Sequence, residues 1–413
     1  MDWKKIWEYI LVFLKWLVLA VAVGLVVGAA GALFGHGLHA AGALREKYPW
    51  LLYLLPLGGV AIVGLYHLAG VPESGSTNDV FLAARERRLM PLRCAPLIVV
   101  STLLTHLFGG SAGREGAALQ LGTAITGAMG SRLRLDQKDM RILTMCGMSA
   151  AFSALFGTPL TAAVFSLEVI HVGMMHYAAL VPCVLAALVG GWLAGVAGLE
   201  PTSFSLRVTA ELSPLTILRV CAVGVLFALL SAAFCVVLHQ ANHLYARLLK
   251  NPFLRAAVGG GLVVLLTLLL GTRDYGGAGE GILAQALAGE AKPWAFALKM
   301  VFTALTLGAG FKGGEIVPVF FAGATFGCTA APLLGLDASF GAALGLVSVF
   351  CGVTNCPIAS TIMAVELFGG QSVALFGLCC AVSYMLSGYF GLYSEQKILY
   401  SKFRAELIDR KAG

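Results

Sequence analysis

A glycine-rich break carries a lone carboxylate in the stretch Gly110-Ser-Ala-Gly-Arg-Glu-Gly-Ala-Ala-Leu-Gln-Leu-Gly122, between two apolar runs. The pattern returns in the second half of the chain as Gly310-Phe-Lys-Gly-Gly-Glu-Ile-Val-Pro-Val-Phe-Phe-Ala-Gly323. Glu115 and Glu315 hold matching positions in the two stretches. Because a charge inside a bilayer is costly, each carboxylate is a functional candidate. Paired broken segments in two halves of a membrane protein point to a transporter's ion site.

The composition of the whole chain is that of a membrane protein. Its 413 residues are 59% hydrophobic and only 12% charged, whereas globular soluble domains carry about 25% charged residues. Apolar runs alternate with short polar links from residue 8 to residue 390. Several runs reach the roughly 20 residues that cross a bilayer, and shorter ones indicate tilted or re-entrant helices. We therefore predict an all-α polytopic protein embedded in the lipid bilayer and exclude a soluble fold.

The positive charges lie in short loops and near the chain ends. The net charge is +7, but because its lysines and arginines sit between apolar runs we predict no nucleic-acid partner. The positive-inside rule assigns such clusters to the cytoplasm. It predicts a multi-pass protein of the cell's inner (plasma) membrane with both termini cytoplasmic. The first apolar run is too long for a cleaved signal peptide and is predicted to be a retained helix.

A second repeated motif indicates that the chain consists of two corresponding halves. Residues 156–168 read Phe-Gly-Thr-Pro-Leu-Thr-Ala-Ala-Val-Phe-Ser-Leu-Glu, and residues 354–366 read Thr-Asn-Cys-Pro-Ile-Ala-Ser-Thr-Ile-Met-Ala-Val-Glu. Proline suits the first turn of a helix, where its missing N–H is no loss. We predict a single membrane domain of two transmembrane halves, residues 1–205 and 206–413, with no cytoplasmic regulatory domain. The repeat alone leaves a parallel and an inverted relation of the halves open.

The cysteines and histidines do not suggest a metal site. Nearly all of the ten cysteines fall in apolar runs and none forms a CxxC pair, so we predict buried free thiols, no metal and no cofactor. His106, His171 and His176 are predicted to be core or interface residues. The spacing of His171 and His176 is unsuited to a shared metal on one helix face.

Taken together, the motifs resemble the CLC family of anion channels and transporters over nearly the whole chain. The loop Gly113-Arg-Glu-Gly116 is similar to the family's GREG motif, and Gly313-Gly-Glu-Ile-Val-Pro318 to its GGxxxP motif. The helix from Pro159 to Glu168 and the tyrosine near the C-terminus are similar as well. The resemblance implies a CLC fold: two inverted-topology halves whose broken helices meet at the membrane midplane. It also implies a homodimer with one pore in each subunit.

Departures from the usual family sequence bear on the transported ion. The first selectivity loop, usually GSGIP, reads Gly75-Ser-Thr-Asn-Asp79 here. Chloride/proton exchangers carry an internal proton glutamate where this chain has Val169, directly after Glu168. Residues 383–396 and 110–113 resemble the CLC-F branch, which exports fluoride in exchange for protons. We therefore predict a fluoride/proton antiporter. A chloride-conducting channel and a chloride/proton exchanger of the same family are the alternatives.

Four glycine breaks beside helical runs are suited to hold an anion. A helix N-terminus offers unpaired N–H groups and a partial positive charge, and glycine lets the backbone approach the ion. Fluoride is small and strongly hydrated, so its site must return several hydrogen bonds. Chloride can use the same donors, and helix capping is the alternative role for the polar side chains. From the breaks and the resemblance we predict the ion contacts Ser76, Thr77, Asn78, Gly113, Arg114, Gly116, Ile316, Val317 and Tyr393.

Glu115 is predicted to be the protonatable gate. Its ionised side chain competes with the anion for the same N–H groups and swings away when protonated, which couples proton and anion movement. The alternative is a structural carboxylate that pairs with Arg114 or caps the following helix.

The other glutamates of the repeat are predicted to be structural. Glu315 occupies the equivalent of the gate position, but the resembled family does not gate there, so we predict a partnership with Lys312. Glu168 and Glu366 are predicted to pair or to cap near helix ends.

An enzymatic function is the alternative of a different class. The fragment Gly147-Met-Ser-Ala150 is faintly similar to an intramembrane serine protease, with His106 or His171 as the base. That function would leave the duplication and the glycine breaks unexplained. We therefore predict a transporter and not an enzyme.

Overall fold

The computed structural model describes residues 3–71, 77–86, 89–204 and 210–412, and these residues form sixteen α-helices. The helices of the first half are α1 (Trp3–Lys47), α2 (Leu55–Leu68), α3 (Thr77–Arg85), α4 (Cys94–Leu107), α5 (Glu115–Arg132), α6 (Gln137–Phe156), α7 (Pro159–Glu168) and α8 (Leu180–Val196). Those of the second half are α9 (Pro214–Leu248), α10 (Pro252–Leu270), α11 (Glu280–Leu287), α12 (Ala295–Gly308), α13 (Ile316–Ala330), α14 (Ala338–Thr354), α15 (Pro357–Phe368) and α16 (Val373–Leu386).

Several of these helices have the length and apolar composition of membrane-spanning segments. Among the described residues, six helical segments are long and apolar enough to do so: Trp3–Lys47, Pro49–Leu68, Tyr177–Val196, Pro214–Leu248, Pro252–Leu270 and Ile316–Leu334. Shorter apolar helices lie between them, as expected for segments that enter the membrane and stop within it. The prediction of an all-α polytopic membrane protein is confirmed.

The two halves repeat the same local structure. Asp136 caps the start of α6 by accepting a hydrogen bond from the Asp139 N–H, and Asp337 caps α14 in the same way. Each of these helices ends on a residue with positive φ, Gly157 after α6 and Asn355 after α14. The two helices that correspond in the inferred duplication, α6 and α14, therefore begin and end with the same kinds of cap.

The helices that follow the two glycine breaks pack closely on their neighbours. A Cβ on Gly122 of α5 would lie 2.1 Å from the carbonyl O of Gly147 of α6. A Cβ on Gly323 of α13 would lie 2.3 Å from the carbonyl O of Gly345 of α14. Glycine at these positions lets the paired backbones touch, as small residues do in membrane helix interfaces. Each glycine break therefore leads directly into a closely packed helix pair, α5 with α6 in the first half and α13 with α14 in the second.

The repeated proline–glutamate helices cap one another across the two halves. The Glu366 carboxylate at the end of α15 accepts hydrogen bonds from the Leu160 and Thr161 N–H groups at the start of α7, at 2.9 and 2.8 Å. The Glu168 carboxylate at the end of α7 accepts equivalent bonds from the start of α15, at 3.1 and 2.8 Å. The capping prediction for both glutamates is confirmed. Because each helix end meets the other's beginning, α7 and α15 run antiparallel, and the halves are inverted.

Aromatic contacts join the halves into a shared core. Phe156 of α6 packs on Phe320 of α13 with ring centroids 5.4 Å apart, and Phe165 of α7 packs on Phe350 of α14 at 5.8 Å. The predicted boundary between residues 205 and 206 lies outside the described residues. It stays a prediction of where the repeat divides, within one packed domain.

A small sheet that the sequence analysis did not predict joins the C-terminal segment to the end of α7. Strand β1 (His171–Val172) pairs parallel with β2 (Lys397–Tyr400), which pairs antiparallel with β3 (Leu407–Lys411). The strands are short and basic, so their hydrophobic alternation is too weak to recognise. The sheet anchors the segment that follows Tyr393.

Candidate ion site

The two glycine breaks meet backbone to backbone. The Gly113 N–H donates to the Gly314 carbonyl O at 2.6 Å, and the Gly314 N–H donates to the Gly113 carbonyl O at 2.8 Å. A Cβ on Gly314 would lie 2.7 Å from the backbone N of Gly116. Only glycine allows so close an approach. The contact brings the N-terminal ends of α5 and α13 together inside the protein.

Glu115 lies at this junction, as the first residue of α5. Its side chain is only 1% exposed. Its Oε2 accepts a hydrogen bond from the Arg114 N–H at 3.1 Å, whereas Oε1 has no hydrogen-bond partner among the described residues. A Cβ built on Gly113 would lie 2.8 Å from Oε2 and 3.1 Å from the backbone N of Val317. The carboxylate is therefore beside the first turn of α13.

That first turn presents donors with no partner inside the helix. The N–H groups of Ile316 and Val317 precede the first hydrogen-bonded turn, Pro318 has no N–H, and the Val319 N–H already donates to the Glu315 carbonyl. Ile316 and Val317 are both buried. The start of α13 therefore offers backbone donors of the kind that bind anions at helix N-termini, and Ile316 and Val317 stay predicted ion contacts.

The start of α3 lies against the same junction. Thr77 is buried, and its Oγ1 would be 2.8 Å from a Cβ on Gly116. The Asn78 Oδ1 accepts a hydrogen bond from the Glu395 N–H at 3.2 Å. Ser76 lies outside the described residues. The structure thus brings Thr77 next to Gly116 and joins Asn78 to the segment after Tyr393.

Tyr393 completes this group of side chains. It is 1% exposed, and its hydroxyl has no hydrogen-bond partner in the described part of the chain. Its ring packs on Phe81 of α3, with centroids 4.7 Å apart. Glu115 and Glu315 are both near enough to act on Tyr393 electrostatically. A buried hydroxyl without an acceptor is costly, so it is suited to donate to a bound anion.

Glu315 is a second carboxylate in the same place, half-buried overall but with a buried Oε2. Its Oε2 lacks a hydrogen-bond partner among the described residues, and the charge of Glu115 acts on it. The Lys312 ammonium lies 4.7 Å from the ring centroid of Tyr66. The predicted partnership of Glu315 with Lys312 stays a prediction, and Glu315 joins Glu115 as a carboxylate able to hold a proton in the site.

Comparison with known proteins agrees with this architecture. A family model described as "Voltage gated chloride channel" matches residues 58–388. The chain belongs to the CLC family. A "Chloride/fluoride channel protein" of Pseudomonas syringae pv. tomato is 38% identical over 95% of this chain and 88% of its own.

Solved CLC structures share the fold. The crystal structure of a CLC-type fluoride/proton antiporter superposes with a TM-score of 0.89 at 35% identity, and the match covers 93% of this chain and 98% of that one. A slow cyanobacterial Cl⁻/H⁺ antiporter gives a TM-score of 0.78 at 18% identity, over 90% and 94% of the two chains. The predicted CLC fold is confirmed, and members of this family transport anions through membranes.

Gln396 adjoins the candidate site through Tyr393, and sequence reasoning missed it. It is fully buried, and its Nε2 donates to the carbonyls of Val169 and Thr354 at 2.8 and 2.7 Å. Its Oε1 accepts from the Asn355 side chain, and its N–H donates to the Tyr393 carbonyl. Gln396 thereby fixes Tyr393 to the ends of α7 and α14. Its place at the end of the CLC-F-like segment was the only sequence signal.

A cavity of about 590 Å³ opens beside Arg114 in this CLC protein. We call it the Arg114 cavity; its charged and titratable lining residues are His39, Arg45, Glu46, His106, Arg114, Arg273, Asp274 and Glu280. The Arg114 Nη1 lies 3.6 Å from the Glu280 Oε1. Sequence reasoning missed Glu280, although the stretch Gly276-Gly-Ala-Gly-Glu-Gly281 is a further glycine–glutamate break.

The histidines have structural surroundings. His106 is buried on α4, with its Nδ1 2.9 Å from the Thr102 carbonyl O. His171 and His176 lie in the link after α7, where His171 Nδ1 and His176 Nε2 are 3.2 Å apart. Burial lowers the pKa of His171 to about 4, with His176 adding to the effect, so the ring is neutral at physiological pH. Among the described residues no three potential ligands cluster for a metal.

Proposed function

We propose that this protein is a fluoride/proton antiporter in which Glu115 is the protonatable gate. The observation that carries the proposal is the buried Glu115 carboxylate beside the start of α13, whose Oε1 has no hydrogen-bond partner among the described residues. The similarity to a CLC-type fluoride/proton antiporter supports fluoride as the ion.

Competition for one site provides the coupling. Ionised Glu115 occupies the positive end of a helix, where an anion would otherwise bind the N–H groups of Ile316 and Val317. Two negative charges cannot share such a site without a large electrostatic cost. Protonation of Glu115 removes one of them, so the anion enters as the side chain leaves. Each time the anion replaces protonated Glu115 in the site, a proton therefore moves in the direction opposite to the anion.

The proton must travel without an internal glutamate. Val169 stands where chloride/proton exchangers carry that residue, and its carbonyl is held by Gln396. Glu115 therefore carries the proton itself, or passes it to Glu315, water or fluoride in the site. Fluoride is suited to this role because it is a stronger hydrogen-bond acceptor than chloride.

The assembly and orientation are part of the same proposal. The family resemblance supports a homodimer, and the clustered lysines and arginines support a plasma-membrane protein with both termini cytoplasmic.

Flux measurements on the purified protein in liposomes test the function. Fluoride is expected to cross much faster than chloride, with protons moving the opposite way. Ion-selective and pH electrodes measure both fluxes in one preparation, and protein-free liposomes give the background. Chloride flux equal to or above fluoride flux would instead favour the chloride-transporting alternative.

The side-chain donors of the site are expected to contribute affinity. A hydrogen bond to a charged group contributes about 1.5–3 kcal/mol, so Tyr393→Phe and Asn78→Ala should each weaken fluoride transport at least several-fold. The matched controls are Tyr53→Phe and Asn242→Ala, at exposed positions. Concentration-dependent fluoride flux measures the effect; wild-type affinity and rate in both site variants would leave Tyr393 and Asn78 with structural roles only.

A further inference from the structure

The Arg114 guanidinium is shared between two carboxylates. Its Nε lies 3.8 Å from the Glu115 Oε1, and its Nη1 lies 3.6 Å from the Glu280 Oε1. Neither distance is that of a hydrogen bond. The Nε is buried without a hydrogen-bond partner among the described residues. Arg114 is therefore attracted to both carboxylates and bound firmly to neither.

The two carboxylates differ in their access to water. The Glu115 side chain is 1% exposed, whereas the Glu280 side chain at the start of α11 is 63% exposed in the Arg114 cavity. Glu280 comes from the second half of the chain and Arg114 from the first. The glycine–glutamate break before α11 thus places a hydrated negative charge beside the cation that adjoins the gate.

Other charged groups face the pair from the surrounding elements. They are Arg45 and Glu46 from α1, His106 from α4, Arg273 and Asp274 from the link before α11, and Lys299 from α12. Lys299 is fully buried and donates to the Tyr275 and Gly277 carbonyls. Glu315, directly before α13, is near enough to Glu115 for the two charges to act on each other. All of these remain when Glu280 alone is changed.

We propose that Glu280 is a positioning residue for the gate, which holds Arg114 partly away from Glu115 and so keeps the Glu115 carboxylate easy to protonate. The proposal rests on the proposed function. Without the Glu280 charge, Arg114 is free to close on Glu115, and the repulsion between the two carboxylates is lost. Both effects favour ionised Glu115. Protonation of the gate then requires a higher proton concentration.

Glu280→Gln tests this with little risk to folding, because the side chain is exposed. The pH of half-maximal fluoride/proton exchange should fall by about one unit, a tenfold rise in the proton concentration required. The fluoride-to-proton ratio should stay at the wild-type value. Glu290→Gln, an exposed charge just after the other end of the same helix, is the matched control and should leave the profile in place.

A double variant distinguishes an effect of Glu280 that acts through Arg114 from a general effect of its surface charge on the pH profile. In an Arg114→Gln background the Glu280→Gln change should shift the profile much less, because the cation through which it acts is gone. An equal shift with and without Arg114 would overturn the positioning role, as would an unmoved profile in Glu280→Gln. Absence of proton-coupled fluoride flux in the wild-type protein would overturn the proposed function itself, so the two failures are distinguishable.

Discussion

Glu115→Gln is expected to abolish proton movement driven by a fluoride gradient. Glutamine keeps the shape of the side chain but cannot titrate, so the exchange cycle loses its protonation step. Fluoride movement either stalls or continues uncoupled, and both results agree with the gate. The measurement is the pH change in lightly buffered liposomes when a fluoride gradient is imposed, with fluoride recorded at the same time.

The control for this variant is Glu290→Gln, which removes a carboxylate from the surface and should keep coupled exchange. Continued fluoride-driven proton flux in Glu115→Gln would contradict the mechanism. The carrier would then be sought at Glu315, the other carboxylate of the junction, and at His106 in the Arg114 cavity. Glu315→Gln in the same assay distinguishes between those two.

Gly314→Ala is expected to lose fluoride transport more than tenfold. The new Cβ would lie 2.7 Å from the backbone N of Gly116 and 3.1 Å from that of Glu115. Because both neighbours are backbone atoms at a helix start, they cannot move aside without separating the two breaks. The proposed anion donors at the starts of α5 and α13 then no longer meet at one site. Fluoride flux per folded protein measures the loss.

Gly261→Ala is the matched control, since no atom lies within 4 Å of a Cβ at that position of α10. Gel filtration and thermal unfolding in detergent show whether Gly314→Ala still folds. If a folded Gly314→Ala protein transports fluoride at the wild-type rate, the backbone contact between the two breaks does not shape the ion site.

Local sequence signals predicted the centre of the site. A charge in a glycine break needs no knowledge of distant residues to be recognised, which is why Glu115 and the start of α13 were predictable. Proline followed by glutamate at the same spacing in each half likewise identified the caps. The identity of each cap's partner was not predictable, because Glu168 and Glu366 reach helices that only the inverted arrangement brings near.

The remaining parts depend on contacts that leave no local pattern. Glu280 is one of several exposed carboxylates, and only its approach to the Arg114 guanidinium, at 3.6 Å, distinguishes it from the rest. Gln396 acts through its bonds to three separate backbone segments, none of which can be read from its neighbours in sequence. The β-sheet forms from short strands that look like a basic tail. Ser76, a predicted ion contact, lies outside the described residues.

The reciprocal caps also constrain how the protein is made. The N–H groups at the start of α7 have no carboxylate cap until Glu366 is synthesised, 206 residues after Leu160 in the chain. At a synthesis rate of about 5–20 residues per second, the wait lasts about 10–40 s. During that time the first half has emerged from the ribosome with an uncapped helix end, and water or the insertion machinery must serve in place of the absent carboxylate. The first half therefore acquires its last helix cap only after the second half, its homologous repeat, has been made. In this respect the two halves depend on each other as the two subunits of a dimer do.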